Sequence, residues 1–246
     1  SELLIFNNFK EYIKNKLIYF LVKIYYKKAN LIISNSKSGK KDLIKICNAK
    51  VINIPSPSFT HMNKKKLNNK IDVLKIIAVG RLSREKGYTI IIKALSKLKI
   101  NHFSMKILGD GPEKNNLKKM IKNYNLEGKI KLIGFKKNTK KYYKEANLFI
   151  NASLFEGFPN AVVEAISYCV PVICSNCKGG AHEILLNNKG GDFFQSGNPR
   201  SLSEKISLFY KNPKLLNNKL LLARKNIQNF SIKNHVDSYE TVFRNI

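Results

Sequence analysis

From residue 74 onward the chain alternates short apolar runs with amphipathic stretches, and this alternation restricts its fold more than any other feature. Residues 74–79 read LKIIAV, a nearly unbroken apolar run of the kind expected in a parallel strand covered on both faces. Further strands are predicted at 104–108, 130–133, 148–151, 172–174 and 191–194. Helices are predicted between them at 88–97, 112–124, 140–145, 160–168 and 181–186, and after them at 199–210, 213–226 and 231–243. Repeated β–α units of this kind specify a doubly wound α/β domain, whose ligands bind at the carboxyl ends of its strands.

The segment before residue 74 is shorter and differently built. A helix is predicted over 9–28, apolar residues alternating with lysines. It reads as a packed surface helix, with a basic membrane-surface helix as the other option. A strand at 31–33, a helix from the cap Ser36 to 46 and a strand at 51–54 follow. The polar, proline-punctuated stretch 57–70 reads as a linker. The chain therefore divides into 1–56, the linker 57–70, an α/β domain at 71–228 and a final helix at 229–246.

With 45 Lys+Arg against 16 Asp+Glu among 246 residues, the formal net charge is +29. The lysines are scattered rather than gathered into a stripe with interleaved aromatics, which argues against a nucleic-acid partner. A positive surface still favours peripheral contact with anionic membrane. The apolar run 17–26 is broken by Lys23 and too short to span a bilayer, and nothing resembles a signal peptide. Cys174 and Cys177 form a lone C-x-x-C without a second pair, so they read as reduced thiols rather than metal ligands.

Two stretches could carry chemistry. After the strand 74–79 comes GRLSREKG, in which Gly80, Arg81 and Lys86 suit a phosphate: arginine supplies a planar fork and lysine a point charge. Residues 151–177 read NASLFEGFPNAVVEAISYCVPVICSNC: strand end, loop, helix, turn, strand. Glu156 precedes the helix, whose free N–H groups suit an anion. Glu164 lies on one helix face with Ala161, Ala165 and Tyr168, while Val162, Val163 and Ile166 face a core. Two solvated glutamates on an amphipathic helix is the plainer interpretation of the same residues.

The run E-G-F-P-N-A-x-x-E-A followed by V-P-V-I closely resembles the nucleotide-sugar site of glycosyltransferase family 4, retaining enzymes of the GT-B fold. GRLSREKG, the Gly134–Phe135 pair after a strand and the GGAHEI turn with Gly179 and Gly180 match further motifs in order. The resemblance implies a complete Rossmann-like nucleotide-sugar-binding domain, preceded by only the closing part of a Rossmann-like acceptor-binding domain. It therefore implies that Ser1 is not a natural start and that residues 229–246 pack back toward the first domain. Arg81, Lys86 and Glu156 would be catalytic, the cations neutralising the leaving diphosphate and Glu156 holding the donor sugar. Gly80, Gly134, Phe135, Gly157, Phe158, Pro159, Asn160, Glu164, Gly179 and Gly180 would bind the donor, Glu164 through the ribose hydroxyls. The resemblance implies no cofactor beyond a nucleoside-diphosphate sugar, UDP-linked by family frequency, and no D-x-D cluster is present to place a metal. The acceptor would be a glycan or lipid-linked glycan, at the cytoplasmic face in surface-polysaccharide synthesis. An epimerase on the same fold and a basic nucleic-acid module are the alternatives. Cys169 departs from the family's glycine before V-P-V-I, where a helix C-cap needs positive φ.

Overall fold

The structure, a computed structural model, describes residues 9–65 and 67–245. The chain divides into two compact units, Ser1–Pro55 and Ser56–Ile246. In the first, β1 (Ile32–Ser34) pairs in parallel with β2 (Val51–Asn53), and α1 (Phe9–Tyr25) and α2 (Lys37–Cys47) accompany them. The helix expected over 9–28 changes to a 3-10 turn at Tyr26–Lys28. Ser36 caps α2 as expected, its Oγ accepting from the Gly39 N–H at 3.1 Å. Residues 1–8 of the expected acceptor-domain portion lie outside the described residues.

The second unit is built on six parallel strands: β3 (Leu74–Val79), β4 (Phe103–Leu108), β5 (Ile130–Gly134), β6 (Leu148–Asn151), β7 (Val172–Ser175) and β8 (Asp192–Phe194). Their order is β5-β4-β3-β6-β7-β8. The chain winds outward from β3 to β5, then returns to place β6 on the other side of β3. This is the doubly wound order, and its winding reverses between β3 and β6.

Helices α3 (Tyr88–Leu95), α4 (Lys114–Asn123), α5 (Lys140–Glu145), α6 (Asn160–Ser167) and α7 (Ala181–Ile184) connect the strands; α8 (Pro199–Lys211), α9 (Pro213–Asn226) and α10 (Ile232–Arg244) follow. Successive side chains of a strand point to opposite faces. Leu74, Ile76 and Ala78 thus enter one core with residues of α3, α4 and α8, while Ile77 enters the other with residues of α5, α6 and α9. Burial on both faces explains why these strands are apolar runs rather than alternating patterns.

Two boundaries moved. The helix expected from 112 begins at Lys114, after a turn in which the Glu113 N–H donates to the Leu82 carbonyl at 2.9 Å. The helix expected over 181–186 stops at Ile184, with Leu186, Asn187 and Asn188 at positive φ. The stretch 57–70, expected as a linker, is tied along the second unit. The Asn63 N–H donates to the Ser167 carbonyl at 2.8 Å, its own carbonyl accepts from Arg224 Nη2 at 2.8 Å, and Asn217 Nδ2 donates to the Asn68 carbonyl at 3.2 Å. Polar composition reads as a linker, yet here its backbone groups find partners.

Candidate functional site

The reversal of winding splays the loops after β3 and β6 apart and leaves a crevice between their carboxyl ends. A cavity of about 250 Å³ occupies it, lined by Gly80, Arg81, Lys86, Tyr88, Asn151, Ser153, Glu156, Phe158, Pro159 and Asn160 among others. Grooves of about 530 and 840 Å³ lie elsewhere on the second unit, and neither joins the two sides of the switch point.

The two loops are fastened to each other. The 3-10 turn Arg84–Lys86 presents the Glu85 carbonyl to the Leu154 N–H at 2.8 Å. Gly87 closes that turn at φ 64, and a Cβ there would lie 2.0 Å from the Ala152 carbonyl oxygen, so only glycine permits this approach. Lys86 Nζ thereby reaches Glu156 Oε2 at 2.5 Å, across 70 residues of sequence. Ser153 Oγ donates to the same carboxylate oxygen at 3.0 Å. The Lys86 and Glu156 side chains keep only 27% and 15% of their exposure, so the pair is partly shielded yet faces the cavity. Arg81 is exposed at the mouth. The arrangement can grip an oxyanion with two cations while a fixed carboxylate accepts from hydroxyls beside it.

Glu164 is held otherwise than the helical pattern suggests. Ala165, expected beside it on an open face, is fully buried, because α6 packs on α9 and the following turn as well as on the sheet. Glu164 does not line the cavity; its Oε2 accepts from the Tyr143 hydroxyl at 3.0 Å. Burial pushes the Glu164 carboxyl above the usual range, and the Tyr143 hydrogen bond opposes that rise. Tyr143 is itself buried and stacks on Tyr168 with ring centroids 5.4 Å apart.

The other expected residues fall into two groups. Gly157, Gly179 and Gly180 support the wall: the Gly180 N–H donates to the Gly157 carbonyl at 2.7 Å, and a Cβ on Gly179 would lie 1.9 Å from the Glu156 carbonyl oxygen. They fix the loop bearing Glu156 without lining the cavity. Gly134 at the end of β5 faces open space, and Phe135 beside it is 75% exposed. Neither lines the cavity.

Cys169 takes φ 57 at the end of α6, where the Val170 N–H returns to the Ala165 carbonyl at 2.9 Å. It completes the cap that glycine usually makes, and its Sγ donates to the Asn63 carbonyl at 3.2 Å. Cys174 and Cys177 are buried free thiols whose pKa values desolvation raises. Among the described residues no group of three or more His, Cys, Asp or Glu side chains is placed to hold a metal ion.

Tyr88, Asn151, Ser153 and Tyr143 are absent from the sequence-derived set. Tyr88 opens a helix reading YTIII, and Tyr143 sits in KKYYKE. Each looks like ordinary core, and only hydroxyls at otherwise apolar core positions set them apart.

A family model described as Glycosyl transferases group 1 matches residues 60–226. The N-acetylgalactosamine-N,N'-diacetylbacillosaminyl-diphospho-undecaprenol 4-alpha-N-acetylgalactosaminyltransferase of Campylobacter jejuni is 32% identical over 218 residues, covering 85% of this chain and 57% of its own length. An amylovoran biosynthesis glycosyltransferase of Erwinia amylovora is 29% identical over 163 residues, 64% of this chain and 46% of that protein. The chain spans about half the length of these curated relatives. Among solved structures, Anabaena HepE in complex with UDP shares the fold with a TM-score of 0.79 at 19% identity, over 94% of this chain and 67% of that one. The architecture is that of the GT-B glycosyltransferases, and the match over 60–226 together with the Campylobacter relative shows that the chain belongs to the group 1 glycosyl transferases.

Proposed function

We propose that this chain supplies the donor site of a glycosyltransferase that moves a sugar from a UDP-linked donor to a glycan or lipid-linked acceptor in surface-polysaccharide assembly. The observation that carries the reading is the meeting of Arg81, Lys86 and Glu156 in one cavity at the switch point. Arg81 and Lys86 neutralise the charge that grows on the departing diphosphate, the interaction that strengthens as the glycosidic bond breaks. Glu156, aligned by Ser153, accepts from hydroxyls of the donor sugar. Glu164, aligned by Tyr143, serves the ribose hydroxyls from beyond the cavity wall. At about 250 Å³ the cavity matches the diphosphate and sugar rather than a whole nucleotide sugar.

The Campylobacter relative acts, by its name, on an undecaprenol-diphosphate-linked acceptor, and the Erwinia relative, by its name, serves amylovoran biosynthesis. Both names favour transfer over epimerisation. No described helix is long and apolar enough to cross a membrane. The positive surface suits peripheral contact with anionic lipid, at the cytoplasmic face.

The test is thermal denaturation with UDP, GDP and their sugars. A ligand that binds only the folded chain raises Tm by mass action. UDP and a UDP-sugar should raise it and GDP should not; no shift with any nucleoside diphosphate contradicts the proposal.

A further inference from the structure

The carboxylate proposed to hold the donor sugar is steadied from β7, a strand that lends no residue to the cavity wall. Ser175 ends β7 at 2% exposure, and its hydroxyl donates to the Ser153 carbonyl at 2.6 Å, across 22 residues. Val172, Ile173 and Cys174 before it are apolar and buried, and a hydroxyl in such company is costly unless it is paired. Its partner lies past the end of the β6–β7 ladder, whose last pair is Asn151 with Cys174. Beyond that pair the chain turns toward the loop after β3, where Gly87 sits against the Ala152 carbonyl. The Ser153 carbonyl therefore has no facing strand, and Ser175 bridges the gap. Ser196 Oγ, beyond β8, stands 3.2 Å from the same hydroxyl oxygen.

We infer that Ser175 is a positioning residue of the donor site: its hydroxyl fixes Ser153, and through Ser153 the Glu156 carboxylate that meets the donor sugar. This deepens the donor-site reading and rests on it. Ser153 is 1% exposed, and each of its polar groups is engaged. Its N–H donates to Asn151 Oδ1 at 3.0 Å, its carbonyl accepts from Ser175, and its Oγ donates to Glu156 Oε2 at 3.0 Å. On the opposite side the same loop is tied to the turn after β3, where the Leu154 N–H donates to the Glu85 carbonyl at 2.8 Å. Removing the Ser175 hydroxyl releases Ser153 from β7 and loosens the alignment of its Oγ on Glu156. Arg81 and Lys86, carried by the loop after β3, keep their places. The disturbance thus falls on the group that holds the sugar and spares those that hold the diphosphate.

Ser175→Ala tests this by calorimetry with UDP and with the UDP-sugar that raises wild-type Tm most. Wild type that binds neither overturns the donor-site reading itself. Wild type that gains no affinity from the sugar overturns this inference, since no sugar contact is left to position. Given that gain, Ser175→Ala should hold UDP within twofold of wild type and the UDP-sugar about fivefold more weakly, the usual loss for one hydrogen bond. Ser153→Ala keeps the carbonyl and removes the Oγ link, so it should cost about the same. The double variant should then lose no more than Ser153→Ala alone, because both changes break one chain of contacts. Losses that multiply in the double variant, equal weakening of UDP and the UDP-sugar, or UDP-sugar affinity within twofold of wild type would overturn the role and leave Ser175 to the fold alone. Should Ser175→Ala not fold, Ser175→Cys, which fills the site and donates only weakly, is read by the same comparisons.

Discussion

Replacing Glu156 by glutamine should tighten the binding of a bare nucleoside diphosphate, although Glu156 belongs to the proposed machinery. Without ligand, Lys86 Nζ is already engaged by Glu156 Oε2 at 2.5 Å. Charge centres about 4 Å apart at an effective dielectric near 20 attract by about 4 kcal/mol before solvation is counted. With 27% and 15% of the two side chains still exposed, screening and desolvation reduce the net to about 1 kcal/mol. An arriving diphosphate must divert Lys86 from this partner, and it also meets the carboxylate's negative charge. Glutamine removes both penalties and still accepts from Ser153 Oγ. The expected gain of about 1 kcal/mol corresponds to roughly fivefold tighter UDP binding. Calorimetry at ~0.15 M salt reads it directly. Transfer from the intact UDP-sugar should fall by at least ~100-fold in the same variant, because the group holding the sugar has lost its charge. Tenfold weaker UDP binding in Glu156→Gln would refute the reasoning, since Glu156 would then be assisting the nucleotide rather than competing for Lys86.

Tyr143→Phe removes the hydrogen bond that holds the raised Glu164 pKa down, so that pKa should climb further. UDP affinity should fall on acidification with a midpoint above the ~4.3 of ordinary glutamate, and the variant's midpoint should lie higher still; an identical profile would remove Tyr143 from the site. The sign for stability is separate. A carboxyl raised in the folded state favours folding below the unfolded pKa, and that advantage is lost as pH rises through the folded value, so Tyr143→Phe should lose more stability at pH 7 than at pH 4. Cys169→Gly relieves a left-handed residue at about 1–2 kcal/mol, but it adds about 0.5–1 kcal/mol of backbone entropy cost and deletes the thiol bond to Asn63. These nearly cancel, so urea denaturation should find stability within about 0.5 kcal/mol of wild type; a loss above about 2 kcal/mol would make the thiol bond a dominant anchor.

The fold was largely legible because burial on both sheet faces forces apolar runs such as LKIIAV. Helix 213–226 was legible because a proline begins it and its apolar positions recur on one face. The strand order is not written in any local pattern, and it is what brings GRLSREKG beside EGFPNAVVE. Arg81, Lys86 and Glu156, which line one cavity, were singled out by the resemblance of their motifs, since by composition alone a basic turn and two solvated glutamates are the plainer interpretation. Tyr88 and Tyr143 did not stand out, since a buried tyrosine reads as core until its hydroxyl's surroundings are known. Tyr143 meets Glu164 across 21 residues, and Ser58 meets Asn160 across 102; contacts that long leave no spacing to read. Gly179 and Gly180 were recognised as a turn, but whether such a turn faces a ligand or braces a neighbouring loop depends on what lies against it. The polar stretch 57–70 misled for the same reason, because its partners are distant backbone carbonyls and side chains.

The most direct test of the central claim is a crystal structure of the protein with UDP bound. The diphosphate should lie between Arg81 and Lys86 at the carboxyl ends of β3 and β6, with Lys86 Nζ drawn from Glu156 toward a phosphate oxygen. A diphosphate bound away from that crevice, with the Lys86–Glu156 pair unchanged, would contradict it.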